Sequence, residues 1–199
     1  MINEKFVIVG ALLNLTGTFG YARDTIRGKT RPNRISWVMW TLAPLIAFAA
    51  EINKGVGLIA LTTFMAGFCP LIILVASFVN RKSVWKLTTF DFVCGFLSLL
   101  GLSLWLITRE GNIAIIFAVL ADGFAALPTI TKSYNEPESE SWFAFFAAAI
   151  SAGIALLAVN VWTFANYAFP LYLFLICILL VLLIRFKAGL ILGKRFRNT

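Results

Sequence analysis

Apolar stretches long enough to cross a lipid bilayer follow one another along almost the whole chain, which leaves few folds open. They cover residues 5–22, 36–51, 56–78, 89–108, 112–130, 141–159 and 169–184. A hydrocarbon core of about 30 Å takes about 20 helical residues. Inside it every backbone N–H and C=O must find a partner within the protein, so each stretch is expected to be an α-helix. A greasy soluble bundle is the alternative, and the composition argues against it. The chain is 60% hydrophobic and 13% charged, with a mean hydropathy of +0.90, whereas a soluble domain carries about 25% charged residues to cover its core. The expected fold class is an all-α membrane protein with seven transmembrane helices. The second stretch is short for the bilayer and either extends into residues 33–35 or tilts. A six-span chain that drops it is the competing topology.

The placement of charge gives the orientation. The net charge is +8, and all but three of the 17 Lys and Arg residues (Lys5, Lys54 and Arg109) fall on one side of a seven-span topology. That side collects Arg23–Arg34, Arg81, Lys82, Lys86, Lys132 and the C-terminal cluster from Arg185 to Arg197. The positive-inside rule makes it cytoplasmic, with the N-terminus outside and the C-terminus inside. The basic excess is thereby an orientation signal, and no nucleic-acid partner is expected. A bacterial inner membrane suits a chain without long soluble loops.

Residues near 1–82 recur in one gapless frame at 113–187, displaced by 105 positions. Pro32, Ser36 and Trp37 match Pro137, Ser141 and Trp142; Leu15 and Phe19 match Leu120 and Phe124; Ala43 and Ala47 match Ala148 and Ala152. An internal repeat in a membrane chain is a common mark of a transporter fold. Each copy holds three spans, so the fourth must carry the chain back across the membrane. The expected organisation is a first triple-helix bundle (1–82), a linker helix (83–111) and a second triple-helix bundle with a basic tail (112–199). The two bundles are parallel and related by a pseudo-two-fold axis along the membrane normal.

Polar groups inside hydrocarbon are costly and so need a reason. Asp122 falls at the centre of the fifth span and Asn14 at the centre of the first, its counterpart. Both are candidates to bind a small polar solute in a central cavity, with Asp122 also a candidate for proton coupling. The competing role is an interhelical hydrogen bond that only packs the bundle. Trp40 and its repeat partner Phe145 are candidate cavity walls. Trp37 and Trp142 stand at the cytoplasmic mouth as an inner gate or as interfacial anchors. Pro44 and Pro128 interrupt helical hydrogen bonding within spans, and Gly17 is the repeat partner of Asp122; these three are the candidate hinges. Asp91 is expected to pair with Lys86, and Trp85 to anchor the interface.

The chain has no histidine, and its three cysteines are isolated in apolar segments. Neither a metal site, a cofactor nor a nucleophile–base pair is expected, and an enzyme is the weakest reading.

The run Leu127-Pro128-Thr129-Ile130-Thr131-Lys132, followed by Ser139 and Ser141, resembles the motif of the PQ-loop and SWEET transporter superfamily. The 3+1+3 layout with an external N-terminus is similar as well and covers nearly the whole chain. Thr129 stands where the family has glutamine, and Arg23 occupies the proline position of the first copy. The resemblance implies alternating access through a cavity between the two bundles, with a small solute as substrate and a proton as a coupling candidate. Receptors that bind without transporting share this fold. A membrane receptor or assembly factor, docking partners through the basic tail and the acidic loop 136–140, is therefore the second functional expectation. Homo-oligomerisation is open in either case.

Overall fold

A computed structural model describes residues 3, 5–53, 60–80, 85–108, 111–159 and 161–191. Among these there are seven long helices and no strand: α1 (Phe6–Ile26), α2 (Arg34–Asn53), α3 (Ala60–Val79), α4 (Thr89–Ile107), α5 (Gly111–Asn135), α6 (Trp142–Ala158) and α7 (Phe164–Arg185). A single 3-10 turn, Pro137–Ser139, precedes α6. Each of the seven apolar stretches thus contains one helix among its described residues. Lys54, Arg81, Lys82, Arg109, Lys194, Arg195 and Arg197, used above to orient the chain, lie outside the described residues.

Five helices are long and apolar enough to cross a membrane: α1, α3, α4, α5 and α7. The apolar parts of the other two are shorter, Arg34–Ala49 in α2 and Trp142–Ala158 in α6. The sequence suggested that only α2 would be short. The upstream extension expected for α2 is present, since the helix begins at Arg34, whereas α6 is limited to 17 residues. At about 1.5 Å per residue, α6 spans roughly 26 Å.

The surface is apolar and the interior carries the polar groups, the reverse of a water-soluble bundle. Phe92, Phe96, Leu106 and Ile107 of α4 are exposed, whereas Asn33, Ser77, Asp91, Thr129, Lys132 and Glu140 are buried. Local hydrogen bonds explain part of that interior. Asn33 Oδ1 accepts from the backbone N–H groups of Ile35 and Ser36 at the start of α2, and its Nδ2 donates to Asp91 Oδ1 at 2.8 Å. Asp91 also closes a capping box with Thr88 at the start of α4. Asp91 is therefore spent on two helix starts and makes no ion pair with Lys86 among the described residues, contrary to expectation. A buried amide and a capped backbone satisfy it better than an exposed lysine.

Packing follows the repeat. Helix α3 packs against both α1 and α2, and α7 packs against both α5 and α6. Between these triplets α1 packs on α6 and α2 on α5, while α4 lies against α5 and α2. A shift by 105 residues exchanges α1 with α5, α2 with α6 and α3 with α7, and it maps every one of these contacts onto another except those of α4, which has no repeat partner. Two repeat-related pairs touch each other directly: Trp40 with Phe145, ring centroids 6.4 Å apart, and Arg31 with Glu136 in an ion pair. Residues that meet their own repeat partner are what a local two-fold axis between the copies would require.

Small residues set the closest crossing. A Cβ added to Gly17 would meet Ala147 Cβ at 2.8 Å and Ala144 Cα at 3.0 Å, so α1 and α6 nearly touch by their backbones. Gly20, one turn on, has nothing within 4 Å. Gly17→Leu is expected to destabilise the purified protein by ~1–3 kcal/mol through overpacking, whereas Gly20→Leu leaves thermal unfolding unchanged or raises its midpoint. Equal unfolding of the two variants would show that this crossing is not tightly packed.

Candidate functional site

A cavity of about 130 Å³ lies among α1, α2, α3, α5, α6 and α7. It gathers most of the residues singled out in the sequence: Asn14 and Thr18 from α1, Trp37, Trp40 and Pro44 from α2, Asp122 from α5 and Phe145 from α6. Pro70, Phe169 and Cys177 add walls from α3 and α7. Asn14 and Asp122 therefore share one cavity although 108 residues separate them in the sequence, a separation read directly from their numbers. The remaining candidates lie elsewhere. Gly17 is at the α1–α6 crossing and Pro128 is buried within α5. Trp142 is on the outer surface, packed against Phe143 and Phe146 with the Arg185 guanidinium 5.5 Å from its ring centre. Its repeat partner Trp37 is buried instead, and Arg185 corresponds to Asn80 in the first copy.

Asp122 makes a specific contact that the sequence reading missed. Tyr172 of α7 donates its hydroxyl to Asp122 Oδ2 at 2.7 Å. This bond joins α5 to α7 within one triplet, and Asp122 still faces the cavity. The frame offered a signal for it. Displacing Asp122 and Tyr172 by 105 residues gives Gly17 and Gly67. Both members of the polar pair are thus replaced by glycine in the first copy, and those glycines are used for close packing instead.

Next to the cavity, aromatic and polar side chains are stacked in layers. The first is aromatic: Tyr21 and Trp37 meet edge to face at 5.1 Å between ring centroids, and Trp37 touches Trp40 and Phe145. The second is polar. Glu140 accepts from the Tyr21 hydroxyl and forms an ion pair with Lys132, and both charged side chains are wholly buried. Lys132 also donates to the Arg31 carbonyl oxygen. The third is the half-exposed Arg31–Glu136 pair, reinforced by the Arg31 N–H donating to the Ser139 carbonyl at 2.8 Å. Trp85 lies over this end, 5.6 Å from Arg31 and 5.2 Å from Lys132. Residues expected to be a loop for partners and an interfacial anchor are thus folded into a plug. Glu138 alone of the acidic loop is fully outward; its pairing with Lys187, 2.6 Å away, holds its carboxyl below the ordinary glutamate range.

No family model, curated protein or solved structure matches the chain. Among the described residues, no group of three or more Cys, Asp or Glu side chains is placed to hold a metal ion.

Because Lys132 and Glu140 are both buried, removing one strands the other. Lys132→Met is expected to cost ~3–5 kcal/mol, and Lys132→Met combined with Glu140→Gln is expected to restore much of that loss. A double-mutant cycle on chemical unfolding in detergent checks the coupling; additive losses would mean that the two charges do not depend on each other.

Proposed function

We propose that this chain is a transporter or facilitator of a small polar solute, built on a fold similar to that of the PQ-loop and SWEET superfamily. In this reading seven transmembrane helices form two parallel triple-helix bundles joined by α4, with the N-terminus outside and the C-terminus cytoplasmic. The location would be a bacterial inner membrane. The observation that carries the proposal is the cavity itself. It lies between the repeat-related triplets, holds the carboxylate of Asp122, and is bounded by Trp40 and Phe145, the pair that straddles the two-fold axis.

The plug gives the cavity one closed end. Tyr21, Trp37, Lys132 and Glu140 are all buried between it and the surface carrying Arg31 and Arg34. By the charge rule that surface is cytoplasmic, so the conformation is closed toward the cytoplasm. Opening requires the two triplets to separate at the Arg31–Glu136 and Tyr21–Glu140 contacts, which join residues on opposite sides of the axis. Prolines inside α2, α3, α5 and α7 (Pro44, Pro70, Pro128 and Pro170) each remove a backbone hydrogen bond where such bending would occur. Asp122 is the group placed to couple solute binding to a proton.

Reconstitution into liposomes with labelled small solutes tests the reading. Saturable uptake is expected, and Asp122→Asn should lower it by roughly ten-fold or more, the scale of losing a hydrogen bond to a charged group. Absence of uptake across sugars, amino acids, amines and vitamin precursors, with a stoichiometric protein partner co-purifying, would favour a receptor or assembly factor instead.

A further inference from the structure

The walls of the cavity narrow the class of solute. Asp122 is the one charged residue among the described residues that line it, and no Lys or Arg is present there. Its hydrogen-bond donor Tyr172 is neutral, as is its other polar neighbour, Trp40. Among the described residues the negative charge of an ionised Asp122 is therefore left without a counter-ion, unlike Glu140 and Glu136, which each have one. The same cavity is lined by the aromatic side chains of Trp40, Phe145 and Phe169, and the faces of such rings attract a cation through their quadrupoles, most strongly when desolvated.

Each competing ligand class lacks something in this cavity. An alkali or divalent ion needs a shell of oxygen ligands; this lining offers a single carboxylate, Asp122, with the neutral side chains of Asn14, Thr18, Thr62 and Ser151, and is otherwise mainly apolar and aromatic. A carboxylate, phosphate or zwitterionic amino acid would bring a negative charge that nothing in the lining neutralises, and an unpaired desolvated charge is strongly rejected. Size adds a further limit. At about 130 Å³ the cavity is close to the scale, about 150 Å³, that admits benzene.

We infer that the cavity selects a small organic monocation that carries no anionic group, held by the Asp122 carboxylate and the faces of Trp40, Phe145 and Phe169. This rests on the reading of the cavity as a solute site and gives that solute its chemistry.

The test uses the purified full chain in detergent with ligands that share size and differ in charge. The cationic probes are propylammonium, tetramethylammonium and choline. The controls are 3,3-dimethylbutanol, the neutral isostere of choline, and glycine betaine, its zwitterionic counterpart. Binding is read by quenching of tryptophan fluorescence, with Trp37 and Trp40 in the walls, and by thermal shift. At least one cation should bind more than about ten-fold tighter than both controls. Asp122→Asn should bring that cation to the level of the neutral isostere, and Trp40→Leu should weaken it while keeping the preference for charge. Failure of all three cations to bind, or equal binding of the neutral isostere, overturns the inference. So does a charge preference that survives in a folded Asp122→Asn variant.

Uptake separates this inference from the transport reading. A cation that binds with these specificities but never enters proteoliposomes removes transport and leaves the inference standing. Saturable uptake of a neutral solute without cation binding does the opposite.

Discussion

The close crossing of α1 and α6 supports the rest of the molecule. In a bilayer, lipid tails are as apolar as leucine, so helices gain little from hydrophobic burial and depend on close contact and hydrogen bonding. Gly17 supplies that contact against Ala144 and Ala147, while Gly10 lies against Ser151 on the same helix pair. This brings Tyr21, a turn beyond Gly17, against Trp37 and Glu140. The same crossing thereby sets the floor of the cavity and the first layer of the plug.

The second crossing, α2 with α5, occupies the equivalent place under the repeat but is built differently. On α5 the position of Gly17 is taken by Asp122, and on α7 the position of Gly67 of α3 is taken by Tyr172, its hydrogen-bond donor. One copy of the repeat has its small residues where backbones approach, and the other has a hydrogen-bonded carboxylate facing a cavity. A perfectly symmetric pair of bundles would place two carboxylates near the axis, where like charges repel at short range. With a single carboxylate the cavity keeps one unit of charge.

The plug shows the same economy with polar groups. Burying Lys132 and Glu140 separately would be costly, and together they satisfy each other, with Tyr21 and the Arg31 carbonyl as further partners. Lys132 and Glu140 both belong to the second copy of the repeat, and the contacts that tie them to the first are those with Tyr21 and the Arg31 carbonyl, with the half-exposed Arg31–Glu136 pair outermost.

The sequence by itself determined the helices, the repeat and the candidate polar residues. Seven apolar stretches in a medium that demands paired backbones could become little else, and the 105-residue frame already set Gly17 against Asp122 and Trp40 against Phe145. Asn14, Asp122, Trp40 and Phe145 were legible as candidates because polar or aromatic residues at mid-span need a reason. Their meeting in one cavity was decided only by the tertiary structure, because helical periodicity tells which residues share a face and not which helix that face meets. The same limit hid Tyr172, placed Trp142 outside, and turned Glu140 from a loop carboxylate into half of a buried ion pair. An acidic residue near a basic one in sequence has many exposed partners available; only packing across the axis removes water from Lys132 and Glu140 and so makes their pairing obligatory.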